Sequence, residues 1–243
     1  MFDAVARCRA IEALRRGGAR LVVASALSAL LTAPASADET LAARCAAGAL
    51  KGEFRPCAAA VEASPLDPAL RRLYAQSLAR AADYDGSIRQ YQAVTRLTPA
   101  DGRAYYEYAW MLAFVRRYSD AIEPIEHSMR LRPDHVESFR AAAIIYQMMK
   151  RHADVLRVSL AGAKLGDSIA MFDTYDCYAY GRGTAKDESQ ALFWLERAAE
   201  AGHVSAMDRL AEIFLNGGLG RVPDGKKAED WATRARLARE GKL

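Results

Sequence analysis

Written in blocks of 34, residues 66–99, 100–133 and 134–167 place the same kinds of side chain at the same offsets. Small residues recur at Ala75, Ala109 and Ala143 in the first half of each block, and Ser87 and Ala121 fall opposite them in the second half. Tyr84 and Tyr118 stand 34 residues apart after a mid-block turn, Leu97, Leu131 and Leu165 align near the block ends, and Pro99 and Pro133 close the first two blocks. Small residues in both halves let two antiparallel helices approach closely. The closing Pro stops the second helix, because its ring clashes with the preceding turn and it offers no amide donor. The pattern predicts helix, turn, helix, repeated along the chain.

From about residue 163 the period lengthens. "AKLGDSIAM" returns 36 residues later as "AEAGHVSAM", matching Ala163 to Ala199, Gly166 to Gly202 and Ala170 to Ala206. "YGRGTAKDESQALFWLERAA" is echoed by "NGGLGRVPDGKKAEDWATRA", with one extra residue in the glycine loop, so Ala191 and Trp194 recur as Ala228 and Trp231 at a spacing of 37.

The first pattern resembles the tetratricopeptide (TPR) repeat, most strongly over 100–133, where "RRYSDAIEPI" gives the turn and the start of the second helix. The third block departs from it, with Asp167 in place of the closing Pro and Val155 in place of the small residue. The second pattern is similar to the Sel1-like repeat, a relative with a longer glycine-containing turn. The likeness rests on Gly181, Gly183, Asp187, Ala191 and Trp194 in one copy and on Leu210, Gly218, Gly220, Asp224, Ala228 and Trp231 in the other. Thr174 and Tyr175 stand where the first copy should carry its Leu-Gly pair. Together the two resemblances imply an all-α fold, a right-handed α-solenoid of helix-turn-helix repeats. The expected organisation is a leader over 1–37, a degenerate capping hairpin over 38–65, three TPR-like repeats over 66–167, and two Sel1-like repeats with a C-terminal helix over 168–243.

The leader reads as an export signal. Arg7, Arg9, Arg15, Arg16 and Arg20 precede the apolar run "LVVASALSALLTA", and "APASA" places Ala35 and Ala37 where a signal peptidase accepts small side chains. Cleavage is expected after Ala37, giving a periplasmic or secreted protein. The apolar run is about 13 residues, short of the roughly 20 that span a bilayer, so no membrane insertion is expected after cleavage. Five Arg against Asp3 and Glu12 give the leader +3 of the formal +4, leaving about +1 for the rest. The basic balance is mostly the leader's and does not point to a nucleic-acid partner.

Residues 38–65 fit the repeat as a degenerate cap when Phe54 is set against Tyr84 and Tyr118. Cys45 then falls on the small position of the first helix and Cys57 on that of the second, where paired helices touch. In an oxidising compartment such a pair is expected as a disulfide, the alternative being two buried free thiols. Cys8 leaves with the leader, and Cys177 reads as a buried small hydrophobe rather than a nucleophile.

The stretch "AYYEYAW" carries four aromatic rings in seven residues. On a helix Tyr105, Tyr108 and Leu112 share the interhelix face and are expected in the core. Tyr106, Trp110 and Phe114 share another face, which in the resembled architecture lines the concave groove. Arg103 lies on this helix too. The same face is expected to carry Arg72, Gln76 and Arg80 in the preceding repeat and Arg140 and Gln147 in the following one, so the expected groove is aromatic at its centre and flanked by Arg and Gln. Such a surface suits a peptide or an extended acidic segment of a protein partner, since rings and guanidinium groups dominate interface energetics. The alternative is that these rings pack on a neighbouring helix. The carboxylate-clamp pattern of chaperone-binding TPR domains is absent, because the groove positions lack its Asn and Lys.

Motifs for chemistry are missing: no G-x-S-x-G, H-E-x-x-H, C-x-x-C or phosphate loop occurs. His127, His135, His152 and His203 lack ligand spacing, so no metal is expected, and Asp83, Asp85, Asp120 and Asp154 read as helix caps rather than acid-base groups. No cofactor is implied, and no enzymatic activity is expected. The resemblance implies an interaction scaffold or adaptor in envelope assembly, secretion or control of a membrane sensor; Sel1-like proteins include a periplasmic regulator of a sensor kinase. Two other readings stay open. One is a Sel1-like enzyme of the β-lactamase type, although those proteins carry a cysteine pair in every repeat. The other is a self-associating structural spacer.

Overall fold

A computed structural model describes residues 37–242; the arginine-rich segment expected as a leader, including Cys8, lies outside the described residues. The described chain is a run of twelve α-helices: α1 (Ala37–Lys51), α2 (Arg55–Ala63), α3 (Pro68–Arg80), α4 (Tyr84–Leu97), α5 (Gly102–Phe114), α6 (Tyr118–Leu131), α7 (Val136–Met148), α8 (His152–Lys164), α9 (Ser168–Tyr180), α10 (Glu188–Glu200), α11 (Val204–Asn216) and α12 (Gly225–Arg239). No strand occurs among the described residues beyond one isolated bridge, Gly218 to Arg221, in the last glycine loop. Odd and even helices pair as hairpins, each hairpin packs chiefly on the next, and successive first helices meet at α1/α3 and α5/α7. This is an α-solenoid, as the periodicity predicts.

Small residues sit where the helices cross. Ala75, Ala109, Ser87 and Ala121 have no exposed surface and Ala143 almost none. The leucines aligned near the block ends behave differently, since Leu131 and Leu165 are exposed at helix C-termini. Of the carboxylates expected as caps, Asp83 accepts from the Gly86 amide, whereas Asp120 and Asp154 lie inside the first turn and pair with Arg117 and Arg151, each at 2.7 Å. The caps of the first helices are instead Asp67, Asp101 and Asp167, whose carboxylates accept from amides two or three residues on.

The first four hairpin turns close in the same way. Gly52, Ala82, Arg116 and Lys150 take left-handed φ of 77°, 62°, 64° and 58°. The next amide but none then reaches back five residues, from Glu53 to the Gly48 carbonyl, Asp83 to Leu78, Arg117 to Leu112 and Arg151 to Tyr146, at 2.8–2.9 Å. These bonds satisfy carbonyls that the helix end leaves open, which offsets a left-handed cost of roughly 1 kcal/mol at each non-glycine position. In the longer α9–α10 turn the constraint is absolute. Gly183 (φ 75°) packs against the backbone at the start of α8, and a Cβ there would lie 2.3 Å from the His152 carbonyl oxygen.

Neighbouring first helices are locked by one repeated contact. The side chain five residues after each first-helix N-cap reaches the N-cap of the next first helix. Arg72 donates to Asp101 at 2.7 Å, and the Tyr106 ring meets His135 edge-on at 5.3 Å. Arg140 makes a two-pronged pair with Asp167, its Nε at 2.8 Å, and Phe172 stacks on His203 at 4.5 Å. Cation on carboxylate alternates with ring on imidazole. Asp167 is buried and also caps α9. The His203 Nδ1 accepts from the Ala206 amide at 3.2 Å, which requires an unprotonated nitrogen, and burial lowers its pKa accordingly.

Cys45 and Cys57 form a disulfide with Cα atoms 4.3 Å apart, joining α1 to α2, and the pair is the centre of a small cluster with Ala49, Ala60, Val61 and Leu70. Cys177 is buried and free. The cap has the smallest of three apolar clusters, so the crosslink stands where burial contributes least. Reduction, or Cys45→Ala with Cys57→Ala, is expected to remove about 3 kcal/mol of stabilisation from this hairpin, read as loss of amide-exchange protection confined to α1 and α2. Arg140→Ala strands the Asp167 carboxylate and is expected to cost about 2 kcal/mol. Because a solenoid couples only neighbours, urea unfolding followed by circular dichroism should also broaden or split at the α7/α9 boundary.

Candidate functional site

First helices line one face of the solenoid, and register from their N-caps identifies its rows. The row nine residues after each cap reads Gln76, Trp110, Ile144, Asp176 and Glu212; the row at thirteen reads Arg80, Phe114, Met148, Tyr180 and Asn216. In the middle of both rows the side chains are large, apolar and open: Trp110 is 44% exposed, Phe114 59%, Ile144 45%, Met148 54% and Tyr180 55%. Exposed apolar side chains gathered on one face of a solenoid mark an interaction surface more readily than scattered ones do.

The structure sorts the expected groove residues into two sets. Tyr106 and Trp110 stack with ring centroids 6.4 Å apart, and Phe114 tilts on Tyr84 at 5.2 Å, leaving Trp110 and Phe114 the prominent open rings. Gln76 is half-buried on the same face and Gln147 is exposed further along it. The arginines are already engaged. Arg72 pairs with Asp101 and with Glu107, both at 2.7 Å, and Arg103 pairs with Glu107 at 2.9 Å. Arg140 is held by Asp167, and Arg80 donates to the Ala49 carbonyl at the end of α1. Of the expected core residues only Leu112 is fully buried; Tyr108 packs against the core half-exposed, and Tyr105 is half-buried and stacks on His127 at 4.1 Å.

Sequence reasoning missed Ile144, Met148 and Tyr180 on this face. The first two stand 34 residues after Trp110 and Phe114, so the signal was available. Also missed was a notch beyond them, lined by Gln147, His152, Val155, Asp173, Asp176, Cys177 and Arg182. Burial, with the charges of Asp176 and Asp167 near it, pushes the Asp173 carboxyl up to about 6. Burial also raises Asp176, against the pull of Arg182 and Arg209, and raises the Cys177 thiol to about 11, so this cysteine is not an activated thiolate. Among the described residues no group of three or more His, Cys, Asp or Glu side chains could hold a metal ion, and no helix is long and apolar enough to cross a membrane.

Stacked helical hairpins of this kind define an α-solenoid. Residues 163–203 and 204–238, in the C-terminal third of the chain, match the Sel1 repeat. Similar folds occur in a Sel1 repeat protein from Oxalobacter formigenes, 22% identical, with a TM-score of 0.55 over 87% of this chain and 93% of that one. YrrB, described as a TPR protein with an unusual peptide-binding site, is 17% identical with a TM-score of 0.54 over 78% of this chain and 98% of its own. The protective antigen c5321 of uropathogenic Escherichia coli, with an SLR fold, is 19% identical, with a TM-score of 0.56 over 78% of this chain and 43% of its own. At these identities the likeness is one of fold. No curated protein matches the chain by sequence.

Because Asp173 titrates above the ordinary carboxylate range, its ionised form opposes folding. Wild-type stability therefore gains from this group as pH falls from above 6 towards 4. Asp173→Asn is expected to be more stable than wild type at pH 7.5, by about 2–3 kcal/mol, with the difference vanishing near pH 4. Paired thermal or urea unfolding curves at the two pH values check this.

Proposed function

We propose that the protein is a non-catalytic, exported interaction scaffold that binds a protein or peptide segment in the groove lined by its first helices. The observation that carries the reading is the apolar row itself. Trp110, Phe114, Ile144 and Met148 come from successive first helices, and each keeps about half its surface open to solvent. Arg72 and Arg140 act within this reading as walls that hold neighbouring helices at a fixed spacing, Arg103 flanks the row with its pair to Glu107 in the same helix, and Tyr106 backs the Trp110 ring. A preorganised groove lowers the ordering cost that binding must overcome.

The Cys45–Cys57 disulfide supports maturation in an oxidising compartment, and the arginine-rich leader supports export to the periplasm or beyond. A role in envelope assembly or in regulating a membrane sensor follows for a soluble adaptor placed there. The peptide-binding site ascribed to YrrB supports use of the same architecture for linear segments. Repeat solenoids host many functions, so the groove rather than the fold carries the proposal.

In-situ crosslinking and affinity capture should compare wild type with a Trp110→Ala, Ile144→Ala variant, whose exposed side chains can be shortened with little loss of stability. The expected result is a partner that crosslinks to wild type and is lost, at least tenfold, from the variant while the helical circular-dichroism signal is unchanged. Equal capture by both proteins moves the interface to another face. Oligomers that grow with concentration, with no partner captured, replace the scaffold by a self-associating spacer.

A further inference from the structure

The repeat supplies an internal control for the notch at the end of the apolar row. Six residues after its first-helix N-cap, α5 carries Glu107 and α9 carries Asp173. Glu107 receives two cations, Arg72 from the preceding first helix and Arg103 from one turn earlier in its own. At the corresponding places around Asp173 the chain has Arg140, which is committed to Asp167, and Ile169, which carries no charge. Asp173 and Asp176, one turn apart on the same wall, are both partly buried, and neither makes a hydrogen bond or close ion pair with a described residue. The Arg182 guanidinium, also at the notch, lies over the Tyr180 ring at 5.1 Å and pairs with neither carboxylate. Neither carboxylate has the direct ion pair that Glu107 makes twice: Arg182 and Arg209 act on Asp176 only from a distance, and no cation acts on Asp173.

The placement of this pair gives it meaning. Asp176 occupies the same register as Trp110 and Ile144, so the groove runs from aromatic to aliphatic to acidic along one row. A segment lying along the row would meet apolar contact first and, at its end, two carboxylates that have no direct ion pair. Described residues offer no third ligand that would make the pair a metal site.

Resting on the groove reading above, we propose that the groove selects a linear segment of defined polarity, seating aliphatic or aromatic side chains on Trp110, Ile144 and Met148 and a Lys or Arg side chain between Asp173 and Asp176. The incoming cation replaces the arginines that Glu107 already has. Burial raises the value of the contact, because a charge pair in a partly desolvated notch is screened less than one on an open surface. An acidic segment or a nucleic acid is disfavoured by the same two carboxylates.

A random dodecapeptide library displayed on phage, selected on the immobilised protein, tests this directly, with selected peptides then titrated in solution by tryptophan fluorescence. Expected binders carry a Lys or Arg beside two or more large apolar residues. Their affinity should fall roughly tenfold or more on Asp173→Asn, Asp176→Asn, a variant that relieves a buried charge and so keeps its fold, as checked by circular dichroism. Replacing the peptide's basic residue by Gln should weaken binding to wild type and make the two proteins indistinguishable. Binders that need Trp110 and Ile144 but lack a basic residue, or that bind the double Asn variant as well as wild type, overturn the inference and leave the groove reading standing. Failure to select any peptide sensitive to Trp110→Ala, Ile144→Ala overturns the groove reading itself.

Discussion

Everything at the groove depends on the clasp between one first helix and the N-cap of the next. A helix N-terminus presents amide donors that need partners; the Asp101 and Asp167 carboxylates and the His203 imidazole each accept from them, while His135 bonds the Ser138 hydroxyl instead. In this protein the cap residue is also the target of the preceding repeat, by Arg at Asp101 and Asp167 and by an aromatic ring at His135 and His203. One group thus ends a turn, starts a helix and fixes the distance between repeats. The spacing of Trp110 from Ile144, and of Ile144 from Asp176, follows from that.

This double use explains why the groove is not basic. Arginine is well suited to a two-pronged carboxylate contact, and here its fork is turned inward along the solenoid axis rather than outward to a partner. What remains open is the apolar middle of the row and, beyond it, carboxylates that the clasp does not reach. The same economy appears at the N-terminal end, where a short hairpin with a small apolar cluster is held by a covalent crosslink instead of by a preceding repeat.

Solenoid stability is a chain of local interfaces, and the two larger clusters meet near α8 and α9, where the 34-residue period gives way to the longer Sel1 spacing. Gly183 belongs to that transition. Its missing side chain lets the long α9–α10 turn settle onto the backbone at the start of α8, and the notch lined by His152, Asp173 and Arg182 is formed by this contact. Binding surface and change of repeat type therefore share one place in the chain.

The helical hairpins and the juxtaposition of Cys45 with Cys57 were legible in the residues alone. Each of these depends on residues close in the chain or repeated at a fixed interval: Ala75 with Ala109, Gly181 with Gly183, Cys45 and Cys57 on equivalent small positions. The rows of the groove were half legible. Trp110 and Phe114 announced themselves as rings, whereas Ile144 lies beside Ile145 in an apolar run, and only packing decides that the first faces solvent and the second is fully buried. The arginines misled for a related reason. Their register was read correctly, but a helical wheel does not say that a side chain five residues into one helix ends against the cap of another, about 30 residues on. Tertiary structure alone decided the state of Asp173, because a carboxylate becomes an uncompensated charge only through what the fold fails to place beside it.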